Sequence, residues 1–88
     1  MELPFKEKKI GGNVSIRTFS DQLDSHELKW HKDPQDRTVI SLNDNNWLFQ
    51  RDNELPQPIK GTIKIKANEW HRVIKGNGEL KIKVIKHD

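Results

Sequence analysis

The chain has 88 residues, of which 33% are charged and 32% are hydrophobic, and its formal net charge is +3. A chain of this length supports one domain with a small core, so we expect residues 1–88 to form a single unit. There is no cysteine, which excludes disulfides, thiolate metal sites and nucleophilic thiols. No segment has the length and hydrophobicity of a signal peptide or a membrane span. We therefore expect a soluble, cytoplasmic protein without a membrane partner.

Basic side chains are concentrated in the last third of the chain, where residues 60–88 carry 8 basic and 3 acidic groups. Such a region can bind nucleic acid. Here, however, the lysines alternate with apolar residues in GTIKIK and ELKIKVIK, which places them on the solvent face of strands. Charged strand surfaces also discourage aggregation. Binding of nucleic acid is therefore the less favoured interpretation.

Short alternating or β-branched runs recur along the chain between clusters of Gly, Asn, Asp and Pro, and this pattern is typical of an all-β sandwich or barrel. No amphipathic helix is evident. The predicted strands, in chain order, are an edge strand at Phe5–Ile10, then Asn13–Phe19, Ser25–His31, Asp36–Leu42, Trp47–Arg51, Gly61–Lys66, His71–Ile74 and Glu79–Ile85. The short connections favour antiparallel neighbours, and the number of strands predicts a small antiparallel jelly roll with little or no helix.

Alternation along each strand predicts which side chains point into the barrel. Asp36 shares a face with Thr38, Ile40 and Leu42, so we expect its carboxylate to point inward. His71 shares a face with Val73, and His31 shares one with Lys29, so two histidines and one carboxylate can converge. Most of the core is expected from Ile40, Leu42, Phe49, Ile63, Ile65, Val73, Leu80, Ile82 and Val84.

The spacing of these residues resembles that of the cupin superfamily over about Ser25 to Gly76. The first cupin motif has two histidines one residue apart, then a carboxylate and a turn, and the second motif contributes another histidine. The corresponding positions in this chain are Lys29, His31, Asp36 and Asn43 in the first motif, and Gly61 and His71 in the second. Lysine thus replaces the first histidine, and the turn KANE replaces the usual proline-glycine turn.

The resemblance implies a double-stranded β-helix barrel that binds a divalent metal through His31, Asp36 and His71. Two histidines and one carboxylate suit iron, manganese or zinc and leave positions open for a small oxygenated ligand. Lys29, Gln50 and Glu54 are the expected ligand-binding residues, and no catalytic residue is assigned. The resemblance does not choose between an enzyme and a binding protein.

Other interpretations of these residues remain open. His71 can be a half-buried histidine that bonds to the backbone, and Asp36 can pair with Arg37 or cap a turn. The site would then be empty, and the protein would be a non-catalytic binding or assembly module. In that case an outward aromatic face, formed by Trp30 with Leu28, is expected to contact a second copy in a homodimer.

Overall fold

The computed structural model describes residues 5–22 and 28–87, and this part of the chain forms eight β-strands and no helix. No helix long and apolar enough to cross a membrane occurs among these residues. The strands are β1 (Lys6–Gly11), β2 (Val14–Phe19), β3 (Asp36–Ser41), β4 (Leu48–Arg51), β5 (Gln57–Pro58), β6 (Thr62–Ile65), β7 (His71–Ile74) and β8 (Leu80–His87). Seven of them match strands predicted from the sequence, whereas the two-residue strand β5 was not predicted.

The strands form two antiparallel sheets, one of five strands in the order β1-β2-β8-β3-β6 and one of three in the order β5-β4-β7. Strand β8 shows why this sequence favours a sheet with one face buried in the core. Leu80, Ile82 and Val84 are buried, while the intervening Lys81 is exposed and Lys83 is half-buried. The prediction of an all-β antiparallel jelly roll with little or no helix is therefore confirmed.

The core contains nine buried apolar side chains contributed by both sheets. They are Phe19, Trp47, Phe49, Ile59, Ile63, Ile65, Leu80, Ile82 and Val84. Six of them were expected from the sequence. Val73, also expected, is partly buried and packs against this cluster. Two assignments are wrong, because Ile40 is only half-buried and Leu42 is 44% exposed.

The inward face of β3 is the opposite of the one predicted. Val39 pairs with Val84 of β8 and with Ile63 of β6, both of which are core residues, so Val39 faces the core. Arg37, two residues earlier, faces the same way. Asp36 is consequently exposed, and its Oδ1 accepts a hydrogen bond of 2.7 Å from the backbone N–H of Ala67. The expected inward carboxylate of Asp36 is therefore wrong.

The first part of the predicted strand Ser25–His31, including Ser25 and His26, lies outside the described residues. Residues 28–31 form no regular strand, and only His31 makes a bridge, to His71 of β7. Leu28 packs against the core instead of joining an outward face, while Trp30 is 39% exposed. The outward pair of Trp30 and Leu28 is therefore not found.

Candidate metal centre

His71 is the most deeply buried histidine of the cluster, at 4% exposure, at the start of β7. Its ring lies 5.6 Å from that of Phe49, and Val73 lines the same cavity, so the prediction that His71 and Val73 share the inner face is confirmed. The Nδ1 atom of His71 lies 2.8 Å from the carbonyl oxygen of Glu69. Because a carbonyl only accepts, Nδ1 must carry the hydrogen, which leaves a lone pair on Nε2 of the neutral ring.

His31 is arranged in the same way, although it is exposed and lies at the mouth of the cavity. Two backbone hydrogen bonds of 3.0 and 2.9 Å join it to His71, and the two ring centroids are 4.4 Å apart. Its Nδ1 lies 2.9 Å from the carbonyl oxygen of Lys29, so this ring also keeps a lone pair on Nε2 when neutral. A bonded Nδ1 that orients the ring is typical of histidines that bind metals.

The carboxylate of this cluster comes from Asp33, which is 9% exposed, and not from Asp36. The loop that carries Asp33 is fixed by a 2.7 Å hydrogen bond from the N–H of Asn68 to the Asp33 carbonyl. Its Oδ1 lies 3.5 Å from the guanidinium of Arg37, and its Oδ2 lies 3.3 Å from Nε2 of His71. The buried Oδ2 has no hydrogen-bond partner among the described residues.

The contact between Asp33 and His71 brings two hydrogen-bond acceptors close together. A separation of 3.3 Å would suit an ion pair with a protonated imidazole. Burial, however, is the largest influence on His71 and lowers its pKa, which favours the neutral ring. Two lone pairs, on Nε2 and on Oδ2, then face each other in a largely buried environment, which is unfavourable unless a proton or a metal ion lies between them.

The three side chains have the composition and the spacing of a metal site. One ligand atom from each of His31, Asp33 and His71 can be chosen so that all lie within 4.8 Å of one another. Three atoms bound to one zinc or iron ion at about 2.0–2.2 Å cannot all lie more than about 3.8 Å from one another, so the three side chains must move closer together to hold a metal. The cluster can therefore bind a divalent metal.

The cluster opens into a cavity of about 320 Å³ between the sheets. Of its seventeen lining residues, eleven are apolar. The other six are Arg17, Lys29, His31, Asp33, Arg37 and His71. A cavity of this size, mainly apolar with a few convergent polar groups, is typical of a small-molecule site.

The other residues proposed for ligand binding lie in different places. Lys29 lines the cavity, as expected. Gln50 and Glu54 do not: Gln50 lies beside the buried Phe49 on β4, so it points to the opposite face, where its Oε1 accepts a 2.8 Å hydrogen bond from Nε of Arg72. Its Nε2 donates to the carbonyl of Glu54, which is itself exposed. Their assignment to the cavity is therefore wrong.

Comparison with solved structures shows the same architecture at low sequence identity. A cupin domain from Bordetella pertussis Tohama I is 15% identical, with a TM-score of 0.65, and the match covers 100% of this chain and 99% of that one. The DMSP lyase DddQ from Ruegeria pomeroyi DSS-3 is 12% identical, with a TM-score of 0.71 over 85% of this chain. Fe(II) HppE is 9% identical, with a TM-score of 0.60 over 84% of this chain.

The matches with the lyase and with HppE cover only 37% and 41% of those chains, so this chain spans less than half of their length. No protein-family model matches the chain, and no curated protein does. The resemblance read from the sequence is confirmed at the level of architecture by the structural neighbours. The chain has the cupin fold.

Proposed function

We propose that the protein binds one divalent metal ion through His31, Asp33 and His71, and a small oxygenated ligand in the adjoining cavity. One observation carries the proposal: within the part of the chain that the structure describes, the buried Oδ2 of Asp33 has no hydrogen-bond partner, and it lies 3.3 Å from Nε2 of His71. Leaving a buried carboxylate oxygen unsatisfied is costly, and a bound cation removes that cost.

The donor set favours iron, manganese or zinc over magnesium or calcium, because two imidazoles accompany one carboxylate. With three protein ligands, positions remain open for water or for an exogenous ligand. HppE, which shares the fold, has been solved as an Fe(II) protein, and this supports Fe(II) as a candidate. A metal bound here would polarise an oxygen atom of the ligand.

The chain's own residues have separate tasks in this proposal. The carbonyls of Glu69 and Lys29 hold the two imidazoles in the tautomer that presents Nε2. The apolar walls exclude water from the ligand, and Lys29 at the mouth provides a positive charge.

A titration of the protein with Zn(II) or Mn(II), after purification without a metal-affinity tag, tests the proposal. We expect one ion per chain. Loss of a group that only orients a metal-binding side chain lowers metal affinity about 10–100-fold. Asp33→Asn changes a metal-binding side chain itself, so it should weaken metal binding by more than about a hundredfold.

Asp36→Asn is the matched control, because it removes the same charge three residues away. Asp36 is exposed and accepts a hydrogen bond from Ala67, which an asparagine oxygen can also accept. Metal binding should therefore be unchanged in this variant. Equal binding by wild type and Asp33→Asn, or equal losses in both variants, would contradict the proposed site.

A further inference from the structure

The cavity contains an arginine with a buried, unpartnered Nε and one long ion pair among the described residues. Arg37 points inward from β3, and its side chain is 14% exposed. Its Nε is buried and has no hydrogen-bond partner among the described residues. The one ion pair of Arg37 with a described residue is to the carboxylate of Asp33, and its contact from Nη2 is a long 3.5 Å. A buried guanidinium in this state is costly unless another anion binds to it.

The second arginine of the cavity already has an acidic partner. Nε of Arg17 donates to Oε2 of Glu7 at 2.8 Å, and its guanidinium carbon lies 4.3 Å from the ring centroid of Phe5. Among the described lining residues, Arg17, Arg37 and Lys29 are cationic and Asp33 is the one acid; because Glu7 balances the charge of Arg17, a positive excess of one charge remains. A metal ion bound to the cluster would increase the positive excess further. The charge of the cavity therefore favours an anionic ligand.

The remaining lining restricts the body of that ligand. Eleven of the seventeen lining residues are apolar, and they include Phe19, Phe49 and Val39. A strongly hydrated polyanion would have to leave water for these apolar walls, which is unfavourable. A single carboxylate on a short hydrocarbon body combines one charge for the guanidinium with an apolar part for the walls.

From these features we infer that Arg37 binds the carboxylate of a small organic acid with an apolar body. The planar guanidinium suits a carboxylate, which it can bind through two parallel hydrogen bonds. This inference rests on the proposed function, in which the cavity is the ligand-binding site, and it adds the chemical class of the ligand. It does not need the metal for the contact itself, so the two can be tested separately.

The probes are acetate, isobutyrate and benzoate, each compared with its neutral amide, on protein freed of metal by passage over a chelating resin. Removing the metal excludes direct binding of the carboxylate to an ion. Binding is followed by nuclear magnetic resonance through the Nε–H signal of Arg37, which is identified by its loss in Arg37→Lys. We expect at least one acid to bind about tenfold or more tightly than its amide, with a shift of this signal.

Two variants with the same change of charge locate the contact. Arg37→Gln should lose the preference for the acid over the amide. Arg72→Gln should keep it, because Arg72 lies outside the cavity, where its guanidinium carbon is 4.8 Å from the ring centroid of Trp30. Arg37→Lys keeps the charge without the planar fork and should bind the acid more weakly than wild type but more tightly than Arg37→Gln.

The inference is overturned if no acid binds to the wild type, if acids and amides bind equally, or if Arg72→Gln loses as much as Arg37→Gln. The comparison of acids with amides on the wild type remains valid even if a variant fails to fold. Metal titration reports on the proposed function independently. If the protein binds metal but does not prefer acids to amides, the metal site is supported and the role of Arg37 is excluded. If it prefers acids but binds no metal, the role of Arg37 is supported and the metal site is excluded.

Discussion

Asp33 and Asp36 are three residues apart, yet their carboxylates lie in different environments. Asp33 is 9% exposed beside His71, whereas Asp36 is exposed and bonds to the amide of Ala67. Strand alternation cannot identify the inward acid, because Asp33 precedes β3 and its direction is set by a hydrogen bond from Asn68 to its carbonyl. The segment HKDPQD indicates a carboxylate near His31, but the choice between its two aspartates depends on a tertiary contact.

The titration of His71 predicts how stability depends on pH in the metal-free protein. Burial lowers the pKa of His71 below its ordinary value of 6.5, so the unfolded chain binds a proton that the folded protein resists. Stability should therefore be constant above about pH 6.5 and fall as the pH decreases from there toward the lowered pKa. Urea unfolding between about pH 7.5 and pH 5 measures this slope.

Replacement of His71 by Gln should make the slope shallower, because the titrating ring is gone. His87→Gln is the control, since His87 is exposed at the end of β8. It should preserve the slope of the wild type. A slope that is the same with and without His71 would show that burial of this ring does not govern the acid sensitivity of the fold.

At the scale of the elements, β3 shows the limit of reading faces from sequence. Both Val39 and Ile40 are apolar and β-branched, so either alternation is compatible with a buried face. The pairing partners decide: Val39 lies between Val84 and Ile63, while Ile40 pairs with Lys83 and Thr62. By contrast β8 alternates apolar residues with lysines, and there the inward residues were predicted correctly. Where the apolar residues of a strand occupy only alternate positions, the sequence is sufficient to predict which face is buried.

Two truncations of apolar side chains test this reading of the strand faces. Ile82 is 6% exposed within β8, so Ile82→Ala should lower the free energy of unfolding by about 2–4 kcal/mol through loss of burial and creation of a cavity. Leu42, just after β3, is 44% exposed, so Leu42→Ala should cost less than about 1 kcal/mol. Denaturant unfolding measures both values, and similar losses would indicate that the end of β3 is buried.

At the scale of the whole molecule, two antiparallel sheets hold one apolar core and leave a cavity of about 320 Å³ beside it. Strand periodicity and turn residues were sufficient to predict this architecture. The proximity of His31 and His71 was also predicted, and the inward direction of His71 followed from the apolar Val73 on the same face of its strand. The guanidinium of Arg37 was not recognised, since it depends on the face of β3 that the sequence left ambiguous.

The cavity joins the two parts of the proposed site. The metal ligands approach it from β7, from the loop before β3 and from the bridge at His31, and Arg37 approaches it from β3. His71 belongs to the three-stranded sheet, whereas Arg37 belongs to the five-stranded sheet, so the site exists only when both sheets are assembled. Binding of a metal should accordingly stabilise the folded state by mass action.

A crystal of the protein grown with Mn(II) or Zn(II) and measured at the metal's absorption edge tests the central claim most directly. We predict one anomalous peak per chain, bound by Nε2 of His31, Nε2 of His71 and a carboxylate oxygen of Asp33 at about 2.0–2.2 Å. A peak at another position, or an ordered cluster with no peak at saturating metal, would contradict the assignment of a metal site to His31, Asp33 and His71.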